Sequence, residues 1–448
     1  MQAKALRSQL VDAVGPFSPF WKARLAALGR SAAAVATPAA LAGLPAVGER
    51  DVCPDGAPSG AAAMVLQAGE SGWALHAQGP RLRKALGRRM LRKGSYRAII
   101  EADTRPTSFV WAGLGFRWPV ASTRSDLDVI ARAGARLWQV LGLTSADVLV
   151  CGLPSLPTAS LQALQLGELG AGSPALFPGG SAEELGRALQ LVPATVLALD
   201  SAGAAELIDQ VGDSLGSLRL LLLVGAPTDE EREDAEVALD QVGSRAKVRA
   251  VHCPDGHRLL WAECADGGDG LHTYPDLELV QLVDPETGEA SDGASASEVV
   301  LTQLGLRGTA LLRWRTGDLA SRISTGPCPA CRRTVPRVVG VQRRALVPEV
   351  DLRVGRRGVD LRAVSAALLG RADVADWRVI LGRNPRNDTS DLLVHVIPHR
   401  DSDVTDVAVS VARDVRAASG LLPTQVVVEE TGSLPAGQPL SRRVHARP

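Results

Sequence analysis

Lysine is almost missing from this chain. Only Lys4, Lys22, Lys84, Lys93 and Lys247 stand among 49 basic residues, so arginine carries nearly all the positive charge, and no lysine follows position 247. With abundant alanine and glycine the imbalance reads as coding bias and by itself names no function, although its placement matters below. Net charge is missing as well: 49 basic against 49 acidic residues leave a formal charge of zero, which points to no strongly charged partner and argues against nucleic acid. Apolar runs such as residues 220–224, Leu-Leu-Leu-Leu-Val, fall far short of the roughly 20 residues a membrane span needs. The N-terminus shows no hydrophobic signal core, so the expectation is a soluble, cytoplasmic protein. Six cysteines in 448 residues are too sparse for a secreted disulfide framework. Only Cys328 and Cys331 sit close together, which makes metal binding the first question for them.

What is present is globular. Hydrophobic residues make up 46% and charged residues 22% of the chain, and its length suggests two or three folding units at the usual domain size of about 100–200 residues. Residues 1–50 read as helices broken by prolines, with Phe17, Phe20, Trp21 and Leu25 on an apolar face. Residues 51–75, rich in Gly, Ala, Ser and Pro, are expected as a loop or domain edge. The basic stretch 79–97 reads as a solvated amphipathic helix, with binding to an anionic ligand or membrane surface as the alternative.

From 126 to 226 helical and strand patterns alternate. Helices are expected at 125–141 and 182–191 and strands at 148–153, 194–199 and 218–224, which together imply an α/β sheet covered by helices. Strands are expected again at 277–283, closed by a DPETGE turn at 284–289, and at 299–313. The last hundred residues read as a compact α+β unit: helix 359–369, strands 377–381 and 392–397, helix 404–419 and strand 425–429. The expected division is 1–340 and 341–448.

The segments WAECADGGDGLHTYPD and GPCPACRR give Cys264-x7-His272 and Cys328-x2-Cys331. A CxxC turn lets two thiolates reach one ion, and three sulfurs with one imidazole make a closed tetrahedral zinc set with no position left for water. Such a site is structural. Two alternatives stand beside it: an ordinary buried thiol at Cys264 with an incidental pair at Cys328 and Cys331, or competition from His252, Cys253 and His257 as ligands. Cys53 and Cys151 are assigned to structure.

Four segments, ELVQLVDPETGE, EVVLTQL, LLRWRTGDLASRI and CPACRRTVPR, follow one another across 277–336. STRSDLDVIARAG precedes them at 122–134, and GVDLRAVSAALLGRADVADWRVIL and the GSLP at 432–435 follow. In order and spacing they resemble the adenylate-forming (AMP-binding, acyl-CoA ligase) superfamily, in its phenylacetate-CoA ligase or coenzyme F390 synthetase-like branch. The resemblance implies an α/β fold with a large N-terminal AMP-binding-like domain and a small C-terminal α+β domain. It implies a zinc clamp of Cys264, His272, Cys328 and Cys331, and nucleotide contacts at Asp318, Arg315, Thr316 and Gly115, with Asp318 accepting from ribose hydroxyls.

Much of the chemistry implied by that resemblance is missing. Phosphates need glycines, hydroxyls and a lysine around them. The family's loop, approximately SSGTTGKP, corresponds to VWAGLGFRW at 110–118, which keeps Gly115 but puts Val110, Trp111, Gly113 and Leu114 at hydroxyl positions and Phe116 at the lysine. The aromatic-Gly-x-Thr/Ser-Glu segment becomes VHCPDGHR at 251–258, where only Asp255 offers an oxygen ligand for Mg²⁺. RTGD is intact at 315–318, but the hinge reads Gly340-Val341-Gln342-Arg343-Arg344 and Leu440 stands at the catalytic lysine position. The expectation is a homologue without catalytic residues that binds a partner protein, an acyl or CoA-type ligand, or a nucleotide. The alternative is an active ATP-dependent acyl- or aryl-CoA ligase with a diverged site. Structural zinc is the expected cofactor, while ATP, AMP and Mg²⁺ stay open.

Overall fold

A computed structural model describes residues 2–52, 60–69, 83, 86–87, 90, 96–112, 118–285, 287–291, 297–343, 346–352, 355–360, 364, 367–368, 371, 373–384, 389–398, 404–419, 421–429 and 444–447. Two compact units divide the chain, Met1–Gln342 and Arg343–Pro448. The fold is α/β.

Five short strands of the first unit run parallel, in the spatial order Ala175–Leu176, Leu149–Cys151, Val196–Asp200, Leu220–Val224 and Lys247–His252. The central strands Val196–Asp200 and Leu220–Val224 are almost wholly apolar because helices cover both faces of the sheet. Leu221 and Leu223 pack toward the helices Ala182–Leu191, Ala204–Val211 and Asp229–Gln241, whereas Leu220 and Leu222 face a second core shared with helices Arg124–Val140 and Ala159–Ala171. Thr123 and Asp126 form a capping box at the start of Arg124–Val140. That helix lies hard against Ala159–Ala171, since a Cβ at Gly134 would stand 2.2 Å from the Gly167 Cα.

Beyond Lys247–His252 the same sheet turns antiparallel through Trp261–Ala262, Leu271–His272, Arg337–Val339 and Arg322–Ser324. A second sheet pairs Glu278–Val283, Ser297–Gln303 and Trp314–Ala320 in antiparallel order. The expected strand 299–313 is corrected here: pairing stops at Gln303, and residues 304–313 turn back with Leu304, Leu306, Leu311 and Leu312 buried. Gly305 and Arg313, at φ 86° and 46°, make that reversal. RTGD then lies inside the strand Trp314–Ala320 rather than in a loop.

In the second unit four strands stand in the order Gln425–Val428, Thr389–Pro398, Val374–Asn384 and Val444–Arg447. Helix Val404–Ser419 lays Val407, Val411 and Val415, spaced by four, against Val379, Val394 and Val396. The expected helix 359–369 is corrected at its start. Val359 and Asp360 end the strand Gly355–Asp360, held by pairing of Val359 with Val347, and among the described residues only 364, 367 and 368 of that stretch are helical. Most of 51–75 and 79–97 lies outside the described residues. No helix among the described residues is long and apolar enough to cross a membrane.

Candidate metal centre and the RTGD strand

Sheet register explains how residues more than fifty positions apart meet. His272 is paired with Ala262 on one side and with Arg337 on the other. Cys264 follows the strand Trp261–Ala262, and Cys328 and Cys331 lie in the loop joining Arg322–Ser324 to Arg337–Val339. Pairing of Arg337 with His272 therefore lays the CxxC loop over Cys264.

The four ligand atoms all lie within 4.8 Å of one another. Cys264 Sγ is 3.9 Å from Cys328 Sγ, and Cys331 Sγ is 3.5 Å from His272 Nε2. A tetrahedron with zinc–sulfur bonds of about 2.3 Å has sulfur–sulfur edges of about 3.8 Å, so the donor set fits zinc in both chemistry and size. The Gly268 amide donates to Cys264 Sγ at 3.4 Å, and a Cβ at Gly268 would stand 2.5 Å from Cys328 Sγ. The CxxC turn is closed by Cys328 N donating to Arg333 O at 2.8 Å and Arg332 N donating to Cys328 O at 3.0 Å, with Arg332 left-handed at φ 62°.

Burial, then the charges of Arg337 and Arg333, push His272 down to about 4 against the opposing pull of Asp269, so its imidazole is neutral at pH 7 and free to act as a ligand. Burial raises the Cys264 thiol. For Cys331 burial acts in the same sense but is outweighed by donors from Arg333 and the neighbouring thiols, which bring it below its ordinary value.

The competing ligands lie elsewhere. His252 Nε2 meets Asp318 Oδ2 at 2.8 Å, with both side chains fully buried. His257 Nε2 meets Glu278 Oε2 at 2.5 Å, its Nδ1 faces Gln303 Nε2 at 2.9 Å, and Cys253 Sγ donates to the His257 carbonyl at 2.9 Å. Glu278 also accepts from Trp261 Nε1 and the Tyr274 amide. Arg258 donates to Ala121 O, Thr309 O, Gln303 and Asp126.

RTGD is engaged from within. Arg315 holds the Glu298 carboxylate and donates to Pro285 O at 2.6 Å. Thr316 Oγ1 donates to Val299 O at 3.0 Å and accepts from the Asp318 amide at 3.1 Å. Trp314 Nε1 donates to Asp255 O at 2.9 Å, and its ring packs on Trp118 with centroids 5.1 Å apart. Val110 is buried and Trp111 is exposed. Gly115 and Phe116, with all of 113–117, lie outside the described residues, as do Arg344, 432–435 and Leu440.

The two histidine–carboxylate pairs escaped the sequence reading. Their signal was VHCPDGHR itself, a run with two histidines at and beyond the end of the strand Lys247–His252, whose buried groups must find partners inside the fold.

No protein-family model matches the chain. Among curated proteins, phenylacetate-coenzyme A ligase of Thermus thermophilus is 31% identical over 137 residues, which is 30% of this chain and 29% of that protein, so the match spans less than a third of the relative. Among solved structures, 2-hydroxyisobutyryl-CoA ligase in the postadenylation state with 2-HIB-AMP matches with a TM-score of 0.65 and 16% identity, over 100% of this chain and 89% of that one. An open conformation of the same ligase with 2-HIB-AMP and CoA gives 0.60 over 99% and 90% at 16% identity. An ATP-bound RpMatB-BxBclM chimera gives 0.50 over 73% and 65%, also at 16% identity. The fold is that of the adenylate-forming acyl-CoA ligases, with a large N-terminal and a small C-terminal part. The sequence likeness, over 30% of the chain, is to a phenylacetate-coenzyme A ligase.

Proposed function

We propose that this chain is a non-adenylating protein of ligase fold that binds an acyl or CoA-type ligand or a partner protein, with one structural zinc held by Cys264, His272, Cys328 and Cys331. The observation that carries the reading is the His252–Asp318 pair: the carboxylate that the resemblance assigns to ribose hydroxyls is fully buried and bonded to the protein's own imidazole. The partners of Arg315 and Thr316 support it, since both side chains have structural roles in the strand. Phe116 and Leu440, at the two lysine positions of the family, point the same way. Loss of one preorganised donor costs on the order of 10²–10³ in rate, and two are missing.

Residues 1–340 are proposed as the AMP-binding-like domain and 341–448 as the ligase-type C-terminal domain of a cytoplasmic protein. The ligand class follows from the neighbouring folds, whose structures hold 2-HIB-AMP and CoA. A zinc ion in the Cys3His set cross-links the antiparallel end of the sheet, and four protein donors leave it no open position for a reacting group. An active acid–thiol ligase is the second reading, and the intact RTGD favours it.

ATP–pyrophosphate exchange with a panel of aryl and fatty acids separates the two, beside calorimetric titration of ATP and AMP. No exchange above background is expected. Exchange at ordinary enzyme rates overturns the proposal, while AMP binding without turnover replaces it with nucleotide sensing through Asp318.

A further inference from the structure

A buried arginine normally faces a carboxylate, because an isolated charge inside a protein costs several kcal/mol. Arg258, Arg307 and Arg337 follow the rule, with Asp126 at 3.3 Å, Asp103 at 3.0 Å and Asp269 at 3.2 Å. Arg313 breaks it. The residue is 4% exposed, yet among the described residues its guanidinium reaches one protein acceptor, Gln281 Oε1, through Nη1 at a long 3.4 Å, and Nε reaches none. Burial lowers its pKa, and no neighbouring acid opposes that shift.

The backbone holds this cation in place. Arg313 sits at φ 46°, a left-handed conformation that side chains other than glycine seldom adopt, and it is pinned there by its amide donating to Thr302 Oγ1 at 2.9 Å and its carbonyl accepting from Val47 N at 2.8 Å. Gln281 belongs to the strand Glu278–Val283, whose four inner positions are only half-buried. Its carboxamide carries an NH2 donor beside the oxygen that Arg313 holds. A guanidinium lacking a counter-ion and an adjacent amide donor, at a half-open strand, form a receptor for an oxyanion.

We propose that Arg313, with Gln281, binds a small oxyanion, the phosphate or carboxylate group of a ligand. The inference does not depend on whether the chain adenylates, because neither residue belongs to the RTGD contacts with Glu298, Val299 or His252.

The test is thermal unfolding and calorimetry of the full chain with inorganic phosphate, pyrophosphate, acetate and succinate, each against sodium chloride at matched ionic strength to remove general screening. At least one anion is expected to saturate and raise Tm by about 2–4 °C, and whether phosphates or carboxylates do so identifies the ligand group. Arg313→Met should abolish the response while unfolding at or above the anion-free wild-type temperature, since an apolar side chain removes an uncompensated cation. Gln281→Leu should keep the fold and weaken binding severalfold. No saturable response to any of the four anions overturns the proposal. So does an Arg313→Met or Gln281→Leu variant that binds as well as the wild type.

Discussion

Two clusters of the first unit, the Cys3His set and the RTGD strand, treat their polar atoms in opposite ways. At Cys264, His272, Cys328 and Cys331 the ligand atoms converge on one another, all within 4.8 Å. At 315–318 the polar groups are engaged by the protein: Arg315 by Glu298, Thr316 by Val299 O, Asp318 by His252. A cluster kept for a ligand leaves lone pairs aimed at a common point, whereas one that serves the fold alone pairs them within it, because unpaired buried groups are costly. The difference separates the proposed metal site from the proposed former nucleotide site more firmly than motif matching, since RTGD is as intact as CxxC.

The sharpest way to break the comparison is to remove a metal ligand. Cys328→Ser should abolish bound zinc, measured by elemental analysis, and lower Tm by on the order of 5–10 °C, because metal binding to such a set contributes directly to folding. Protein purified without chelator that holds no zinc, or a variant that loses zinc without losing stability, would make the cluster an incidental group of thiols.

At the other region the matching experiment removes the imidazole. His252→Ala leaves Asp318 buried without its partner, and breaking such a pair costs about 3–5 kcal/mol. Chemical denaturation of His252→Ala, Asp318→Asn and the double variant measures the coupling, which should be clearly above zero. Additive losses would show that the two side chains do not support one another. Should His252→Ala gain AMP binding, the imidazole occupies a ribose site that is still competent underneath.

A milder change tests the shape of the metal site rather than its ligands. Gly268→Ala keeps all four donors but sets a Cβ 2.5 Å from Cys328 Sγ, so that sulfur must move. Overpacking of this kind costs about 1–3 kcal/mol, and zinc affinity in a chelator competition should fall with it. Unchanged affinity would mean that the donors do not converge on the ion as their present spacing implies.

The two regions were unequally legible in the sequence. The meeting of Cys264, His272, Cys328 and Cys331 was readable because cysteine and histidine are rare residue types and stand here in local pairs, and sheet register only had to bring the pairs together. Asp318 was readable as a motif but its partner was not, since His252 lies 66 positions away and nothing local requires the two to meet. Alternating helix and strand patterns announced the helix-covered α/β sheet, whose central strands are apolar and buried on both faces. The reversal at 304–313 was hidden because its leucines are as apolar as a strand and only Gly305 hints at the turn. Arg313 gave no signal at all, as a buried cation and an exposed one look alike in a sequence.

The smallest effect calibrates the others, and it concerns a carboxylate that is engaged internally without resembling any site. Asp147 is held below the usual carboxylate range first by Arg219, against the cost of burial, with further donors from Thr144 and Thr195. A depressed value means that the unfolded chain takes up a proton where the folded chain does not. Its stabilising contribution is therefore fully present above the ordinary value of 3.8 and is lost as pH falls below it. Arg219 is 43% exposed, so solvent screens the pair and the contribution should be about 1 kcal/mol rather than that of a sealed ion pair. Urea unfolding of wild type and Asp147→Asn should differ by that amount at pH 6 and converge as the pH is lowered toward the folded-state value, with high salt shrinking the difference at pH 6. A deficit independent of pH would mean that the side chain acts by packing. If His252→Ala then costs no more than Asp147→Asn, the buried Asp318 pair behaves like a half-exposed one, and the contrast between the two regions narrows to the metal site alone.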